Sequence, residues 1–355
     1  MGMHAAEGNG SSEIKDASIV RIQEEGDIAG FLSSLQLKHE LKKRNDPRAN
    51  EYYHEIVLCG GGLLGVLHAE ALQKFTEKGL LEDIDLMIGT STGAAAELLV
   101  FGSEDPHRKS LYYRRVIPEK IVNGHPIAVA RRSAIDTADK LPKFFASESN
   151  TEKIHDVPIP LYVVVTDPDG RMLATDIRKE NDPNAWVVAS CAIPGLITQS
   201  GVELDRNGVR EKGFDGGLIG LTPEIPTLHN PQATHRYRLI LYPSIPGKEI
   251  AQPFLQYITM DPRLKGYPGL RRAIHALNEV QQADIDLIRK KIKEGQHIGM
   301  ISFSEAKKGF NALCTDAALL KAGQLQIGEF FEKIFTRYVH PGLLKEHLSH
   351  LGIAA

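Results

Sequence analysis

Short apolar runs that stop at glycine alternate, in the first half of the chain, with stretches whose apolar residues recur at helical spacing. One run covers residues 55–59 and is stopped by three glycines, after which residues 63–78 carry apolar side chains every three or four positions until Gly79. A second run, at 84–88, leads into an alanine-rich stretch at 94–101. Continuously apolar runs are typical of strands buried in a parallel sheet, and helices follow a period of about 3.6 residues. The pattern therefore predicts alternating strands and helices around a mostly parallel sheet.

The same patterns extend the prediction to both sides of this segment. Residues 1–50 are polar apart from a helix-compatible stretch at Ile28–Lys43, and they predict a partly disordered leader with an appended helix. Apolar positions between Leu270 and Lys293 predict one long amphipathic helix, and the remainder of the chain is expected to be helical. Further strands are expected at 161–166, 171–175 and 235–241, with a hairpin around 202–208. We divide the chain into a leader at 1–50, an α/β core at 51–250 and a mainly helical C-terminal region at 251–355.

The composition is that of an ordinary soluble globular protein. The chain has 355 residues, 42% of them hydrophobic and 25% charged, and its formal net charge of −3 gives no electrostatic footprint for nucleic acid. Its three cysteines form no metal-spaced pair, so neither a disulfide framework nor a metal site is expected. No apolar run is long enough to span a bilayer, and the first residues lack a conventional secretory signal. We expect a cytoplasmic protein whose contact with membranes is at most peripheral.

The glycines after the first apolar run admit two interpretations. Residues 60–65 satisfy the pattern GxGxxG between a predicted strand and a predicted helix, which is the fingerprint of a dinucleotide site. Such a site also needs an acidic residue at the end of the second strand to hold the ribose hydroxyls. Here Glu82, Asp83 and Asp85 fall before that strand or early in it, and the strand ends at Gly89. The surroundings of the glycines therefore count against a nucleotide.

The second strand leads instead into the pattern GxSxG, spelled Gly89-Thr90-Ser91-Thr92-Gly93. A serine in a sharp turn between strand and helix needs small residues two positions away on each side, because a Cβ there would collide as the chain reverses. The same pattern also arises in ordinary turns, but this setting favours a nucleophile. The turn would place Ser91 at a helix N-terminus, where developing negative charge is stabilised. The amides of Gly60, Gly61 and Gly62 could then form an oxyanion hole beside it.

A serine nucleophile needs a base, and the histidines of the chain lie in uninformative contexts. Asp215 is more informative because two glycines follow it, Gly216 and Gly217, and they would let it approach another loop closely. An aspartate with an ordinary pKa of about 3.9 is a weak base at neutral pH. Burial would have to raise this pKa before a direct pair of Ser91 and Asp215 could work. The histidines weighed against it are His107, His125, His155, His229, His235 and His275.

Together these motifs resemble the patatin-like phospholipases, whose sequence pattern has four blocks that occur here in order over about residues 54–245. The blocks are Gly60-Gly61-Gly62-Leu63-Leu64-Gly65-Val66, Gly89-Thr90-Ser91-Thr92-Gly93, Ala189-Ser190-Cys191-Ala192-Ile193-Pro194-Gly195 and Asp215-Gly216-Gly217. The resemblance implies a three-layer α/β/α sandwich with a mostly parallel central sheet, followed by C-terminal helices. Within the division above, residues 51–250 would be the patatin-like catalytic core.

By this resemblance Ser91 is the nucleophile, Asp215 is the base of a two-residue dyad, and Gly60, Gly61 and Gly62 line the oxyanion hole. The resemblance implies a lipid acyl hydrolase of the phospholipase A or lysophospholipase type, acting on phospholipid or other acyl lipids without a metal or a cofactor. Many relatives carry a basic residue where this chain has Leu64, which puts a preference for phospholipid in doubt. The glycines that would support the elbow and the loops are Gly65, Gly89, Gly93, Gly216 and Gly217.

Two other functions fit the same motifs. An acyltransferase would use the same elbow, and an interaction protein could keep the fold but depend on a partner for activity or have lost it. We expect His68 to pack behind the glycine loop and Ser190 to support the floor of the site. Part of the segment at 104–160 is expected to cover the acyl-chain site. The oligomeric state is left open by the sequence.

Overall fold

The computed structural model describes residues 19–103, 131, 134–206, 208–220, 233–242, 252–305 and 316–354. Within this part of the chain nine strands form one sheet, in the order β1-β9-β8-β2-β3-β4-β7-β6, with β5 beside β4. The strands are β1 (Val20–Gly26), β2 (Tyr52–Leu58), β3 (Leu86–Thr90), β4 (Leu161–Thr166), β5 (Met172–Asp176), β6 (Val202–Arg206), β7 (Val209–Asp215), β8 (His235–Tyr242) and β9 (His297–Glu305).

The centre of the sheet is parallel and its margins are antiparallel. Strands β9, β8, β2, β3 and β4 pair in parallel, each with the next. Strand β1 is antiparallel to β9, β5 and β7 are antiparallel to β4, and β6 and β7 form an antiparallel hairpin. Parallel strands buried on both faces need helices as connections, which explains the alternating pattern in the sequence.

Helices cover both faces of the sheet. The described helices are α1 (Ile28–Lys43), α2 (Val66–Glu77), α3 (Thr92–Gly102), α4 (Lys140–Glu148), α5 (Thr151–Asp156), α6 (Pro183–Ser190), α7 (Gln252–Thr259), α8 (Pro268–His275), α9 (Leu277–Lys293), α10 (Ala317–Tyr338) and α11 (Pro341–His350). One apolar core joins the sheet to α1, α2, α3, α6 and α10, and a second joins the opposite face to Ile285 and Ile288 of α9. The expected three-layer α/β/α architecture with additional C-terminal helices is confirmed.

Two strands at one margin of the sheet were not predicted from the sequence. Strand β1 lies in the segment expected to be a leader, and β9 lies in the segment expected to be helical. Most side chains of β1 are exposed or half-buried, so its sequence VRIQEEG lacks the apolar run of a buried strand. Tertiary pairing outweighs local propensity in β1. Strand β9, which pairs with β8 on one side and with β1 on the other, does contain a buried apolar run with Ile298, Met300, Ile301 and Phe303, and the helical prediction for this segment was wrong.

The helix expected between Leu270 and Lys293 is two helices. Helix α8 begins at Pro268, ends at His275, and is capped by Ala276, whose N–H donates to the carbonyls of Arg272 and Ile274. Helix α9 then starts at Leu277. Both helices carry apolar residues at helical spacing, which is why the sequence pattern runs through the break. The apolar core changes along the second helix: its first residue, Leu277, packs with α8 and Phe214, whereas Ile285 and Ile288 pack on the sheet.

The first helix is attached to the sheet by buried polar contacts. Lys38 of α1 is almost fully buried and forms an ion pair with Asp85, whose carboxylate also accepts the backbone N–H of His54 at 2.7 Å. The Ser34 hydroxyl lies 2.8 Å from His54 Nε2. None of the helices within the described ranges is both long and apolar enough to cross a membrane. Most of the proposed cover over the acyl-chain site, at 104–130 and 132–133, lies outside the described residues.

Candidate active site

Ser91 occupies a strained turn between β3 and α3. Its backbone has φ +55° and ψ −121°, in a region that residues other than glycine rarely adopt. A Cβ on Gly89 would lie 2.6 Å from the backbone nitrogen of Ala94, and a Cβ on Gly93 would collide with the carbonyl of Leu58. Both flanking positions therefore need glycine because the helix packs directly on the strands. This is the elbow geometry that the GxSxG pattern predicts.

Asp215 stands at the end of β7 and faces Ser91 directly. The Ser91 hydroxyl donates a hydrogen bond of 2.7 Å to Asp215 Oδ2, although the two residues are 124 positions apart in sequence. The other carboxylate oxygen, Oδ1, accepts the N–H of Gly217 at 2.8 Å. The Asp215 backbone carbonyl accepts the Thr166 hydroxyl at 2.7 Å, which fixes β7 against β4. A Cβ on Gly216 would collide with the carbonyl of Val164, so the close approach requires glycine.

The third sequence block forms the floor beneath the elbow. The hydroxyl of Ser190 accepts the N–H of Ser91 at 2.7 Å and donates to the carbonyl of Val164 at 2.6 Å. Its neighbour Ala192 accepts the N–H of Asp215 at 3.1 Å. Ser190 thus links the strained turn to the neighbouring strand, which matches the support that the sequence predicted for it. The roles of Thr166 and Val164 were missed, because neither belongs to a recognisable motif.

Burial sets the electrostatics of this pair. Asp215 is 4% exposed and Ser91 is also 4% exposed. Loss of hydration raises the pKa of Asp215 to about 7, while the hydrogen bonds from Ser91 and from the Gly217 amide act in the opposite direction. A carboxyl group with such a pKa is partly ionised at neutral pH and can accept a proton from the serine hydroxyl. It is a far stronger base than an exposed aspartate.

The glycine loop lies beside the serine. A Cβ on Gly60 would be 3.1 Å from Ser91 Cβ and 3.8 Å from Ser91 Oγ. Gly62 has φ +58°, a conformation that favours glycine, and Gly65 is the N-cap residue of α2. Leu64, at the position where many relatives are basic, is 5% exposed and belongs to the apolar core. Its side chain is therefore a packing group and offers no charge to a substrate.

The histidines and cysteines lie in other surroundings. His68 is fully buried in α2, and this burial lowers its pKa to about 4. His155 bonds the carbonyl of Arg178 at 2.7 Å, and His235 stacks on Tyr52. His275 is the last residue of α8. Cys59 and Cys191 are buried free thiols. His107, His125, His229 and Cys314 lie outside the described residues.

Glu97 is an unexpected buried acid behind the elbow. It is 0% exposed on α3, and neither of its carboxylate oxygens has a hydrogen-bond partner among the described residues. A Cβ on Gly89 would lie 2.8 Å from its carboxyl carbon, so the Glu97 side chain lies against the strand that leads to Ser91. Burial raises its pKa well above the ordinary value. The alanine-rich sequence of this helix does not predict that the glutamate is buried.

We expect Glu97→Gln to stabilise the protein increasingly as the pH rises. Because burial raises the pKa of Glu97 above its ordinary value of 4.5, the folded protein keeps this proton over a pH range in which the unfolded chain has lost it. The unfolded state then binds fewer protons, so wild-type stability falls as the pH rises. The slope is up to about 1.4 kcal/mol per pH unit for one group. Urea unfolding of both proteins at pH 5, 6 and 7 measures the difference. Glu329→Gln, at an exposed glutamate of α10, is the matched control. A difference that stays constant across this range would show that Glu97 is ionised in the folded protein.

Among the residues described, no cluster of histidine, cysteine and acidic side chains is placed to hold a metal ion. What the structure brings together is a hydroxyl, a buried carboxyl group that accepts its hydrogen bond, and a glycine loop so near that a Cβ on Gly60 would contact the serine. A hydroxyl that can pass its proton to such a carboxylate can attack an electrophilic carbon. The arrangement is therefore suited to nucleophilic chemistry on an acyl group.

Comparison with known proteins supports the sequence resemblance. Residues 56–227 match the family model described as Patatin-like phospholipase. No significant match to the chain is found among curated proteins. Among solved structures, VipD from Legionella pneumophila shares 13% identity at a TM-score of 0.32, over 54% of this chain and 50% of that protein. ExoU of Pseudomonas aeruginosa, in complex with SpcU, shares 14% identity at a TM-score of 0.34, over 80% and 60%.

These TM-scores and identities are low. The chain also spans only about half to three fifths of the lengths of these proteins. The family match carries the assignment, because it covers all four sequence blocks and the residues that the structure brings together around Ser91. Residues 56–227 therefore belong to the patatin-like phospholipase family.

Proposed function

We propose that this protein hydrolyses carboxylic esters of lipids, as a phospholipase A or lysophospholipase, through an acyl-enzyme on Ser91. The observation that carries the proposal is the buried hydrogen bond of 2.7 Å between Ser91 Oγ and Asp215 Oδ2. The strained elbow presents the hydroxyl at the start of α3, and the glycine loop lies beside it. No third residue is needed to orient the base, because the Gly217 amide fixes the Asp215 carboxylate.

The reaction follows from these positions. Asp215 takes the proton of Ser91 as Oγ attacks the ester carbonyl, and the negative charge that develops on the carbonyl oxygen is stabilised by the amides of Gly60, Gly61 and Gly62. The tetrahedral intermediate then collapses, and Asp215 returns the proton to the departing lipid alcohol. Water repeats the sequence on the acyl-enzyme, with Asp215 again as base, and releases the fatty acid.

Ester hydrolysis should rise with pH through the pKa of Asp215. The carboxyl must be ionised to accept the serine proton, and burial raises its pKa to about 7. Below that value the ionised fraction falls tenfold per pH unit, so we expect kcat/KM at pH 5 to be about a hundredfold lower than the plateau above pH 8. The rate should be measured as direct release of fatty acid, because the colour of a p-nitrophenol product itself changes with pH. Dilution of each sample back to pH 8 then checks that the enzyme has not been inactivated. A rate that varies by less than threefold between pH 5 and 8 would contradict Asp215 as the base.

The buried Leu64 bears on the substrate. Because the loop position that is basic in many relatives is apolar and 5% exposed here, it supplies no cation for a lipid phosphate. We therefore propose that the protein does not depend on a phosphate and accepts neutral acyl lipids as well as phospholipids. Contact with a lipid surface would be peripheral. A panel of phosphatidylcholine, lysophosphatidylcholine, monoacylglycerol and p-nitrophenyl esters, with Ser91→Ala as the blank, tests this. Turnover restricted to the two phospholipids would contradict it.

The same panel separates the two other functions. An acyltransferase would pass the acyl group from Ser91 to an added alcohol, so glycerol or lysophospholipid would divert the product from free fatty acid to a new ester. A protein that depends on a partner would be inactive when pure and would regain turnover with a cell extract, and that turnover would be lost again in Ser91→Ala. We expect free fatty acid from the pure protein, because the hydrogen bond between Ser91 and Asp215 is already formed in the isolated chain.

A further inference from the structure

A cavity of about 250 Å³ lies between part of α9 and the face of the sheet that this helix covers. We refer to it as the α9 slot. Its walls come from β4, β5, β8 and β9 on one side and from α9 on the other, and Ile219 and Gly220 complete the lining. An engineered apolar cavity of roughly 150 Å³ is large enough for benzene, so this slot has room for a longer aliphatic group.

The lining of the α9 slot is mainly aliphatic. Two of these side chains, Met172 and Leu287, are 42% and 46% exposed, and they are among five large hydrophobic side chains that are exposed in the described part of the chain. Exposed apolar side chains around a cavity are typical of a binding site for an apolar group. The aliphatic residues of the lining are Val164, Met172, Ile219, Leu287, Ile288 and Ile298.

The charged residues of the slot do not favour a compact anion. Arg238 lies 2.8 Å from Glu55, with which it forms an ion pair, so its charge is already compensated. Asp284 and Lys291 line the same cavity with opposite formal charges. A phosphate or sulfate would meet no excess of positive charge there. A long apolar group would cover the exposed side chains of Met172 and Leu287 and leave the ion pair of Arg238 with Glu55 intact.

The slot is linked to the proposed dyad through the backbone of Val164. Val164, which lines the slot with its side chain, accepts the Ser190 hydroxyl with its carbonyl, and Ser190 in turn accepts the N–H of Ser91. Ile219, which also belongs to the lining, follows the turn that begins at Asp215. The slot is therefore connected to the dyad through Val164 and Ile219, and neither Ser91 nor Asp215 belongs to its lining.

We propose that the α9 slot binds one fatty acyl chain. The aliphatic walls, the exposed apolar rim, the compensated charges and the backbone link to the dyad each favour this occupant over a compact polar ligand. That this acyl chain belongs to the substrate rests on the proposed function, whereas binding of a fatty acid in the slot does not. Each methylene group that enters the slot should strengthen binding by about fourfold.

Binding is tested on the Ser91→Ala protein, which cannot turn over, with the fluorescent fatty acid cis-parinaric acid and competing saturated fatty acids. We expect saturable binding that strengthens with chain length, and at least tenfold weaker binding when Met172→Gln and Leu287→Gln are combined. The matched control combines Val209→Gln and Leu325→Gln, at residues that are also exposed and apolar but lie outside the slot lining. Equal loss in the control pair, or affinity independent of chain length, would overturn the proposal.

A second experiment identifies the source of the acyl chain in the slot. With Ser91 intact, kcat/KM is measured for p-nitrophenyl dodecanoate and for p-nitrophenyl acetate. If the acyl chain of the substrate occupies the slot, combining Met172→Gln with Leu287→Gln should lower the dodecanoate-to-acetate ratio of these constants at least tenfold. A separate fatty acid in the slot predicts an unchanged ratio together with the binding loss. If no ester is hydrolysed by the wild type while the slot variants still weaken fatty acid binding, the proposed function fails and the acyl-chain site stands.

Discussion

Replacing Ser91 with alanine should lower ester hydrolysis by on the order of ten-thousand-fold or more, to a rate close to that of the assay blank. The hydroxyl that this change removes is the only part of the site that forms a covalent bond with the acyl group in the proposed reaction. The neighbours of Ser91 remain in place, because its N–H still donates to Ser190 and the glycines at positions 89 and 93 still permit the turn. Fatty acid release from a lysophospholipid and from a p-nitrophenyl ester measures the effect.

Ser349→Ala is the matched control for that variant, since Ser349 is an exposed serine on α11. It should retain full activity. Urea unfolding of both variants separates lost chemistry from lost structure. Ser349→Ala should match wild type, whereas Ser91→Ala should lose at most about 3 kcal/mol, because it leaves Asp215 Oδ2 buried without its hydrogen-bond donor. Retention of more than a tenth of the wild-type rate in Ser91→Ala would show that another residue attacks the ester.

Replacing Asp215 with asparagine should lower kcat by about a hundredfold to ten-thousand-fold, the usual contribution of a positioned base. An amide has the shape of the carboxyl group and can still accept the Gly217 N–H through its oxygen, but it cannot take the serine proton. Stability should not fall with activity. The buried carboxyl of Asp215, whose pKa is raised to about 7, destabilises the folded state once the pH exceeds the pKa of an unfolded aspartate.

The measurement is kcat at pH 8 together with urea unfolding at the same pH. Asp156→Asn, at an exposed aspartate that ends α5, is the control and should match wild type in both. The Asn variant should also lose the pH dependence of the wild type, because the group that titrates has been removed. An active Asp215→Asn variant that keeps the wild-type pH profile would place the base elsewhere.

Local features of the site could be predicted from the sequence because they follow from short-range sterics. The glycines around Ser91 are required by contacts that lie only a few residues away along the chain or on the adjacent strand, so GxSxG between a strand and a helix specifies the turn. The link between Ser91 and Asp215 is different. It depends on β7 running antiparallel beside β4, a pairing over a long separation in sequence. The two glycines after Asp215 made that residue a candidate base, and the family resemblance specified the pair.

Features that depend on tertiary context were not predictable. Glu97 lies in an alanine-rich helix where a single acid looks like an exposed residue, and only the packing of α3 on β3 buries it. Strand β1 is too polar to be recognised alone and exists because β9 offers it an edge. The break between α8 and α9 leaves the helical period undisturbed, so the pattern of apolar residues could not reveal it.

If Ser91 is a nucleophile activated by Asp215, a fluorophosphonate should label it selectively. Such a reagent phosphonylates a serine only where the hydroxyl is activated, and mass spectrometry of the digested protein identifies the labelled residue. We expect one adduct, on the peptide that contains Ser91, formed at least a hundredfold more slowly in Asp215→Asn and absent from Ser91→Ala, as expected for loss of a base. An adduct on another residue, or equal labelling of wild type and Asp215→Asn, would contradict these roles of Ser91 and Asp215.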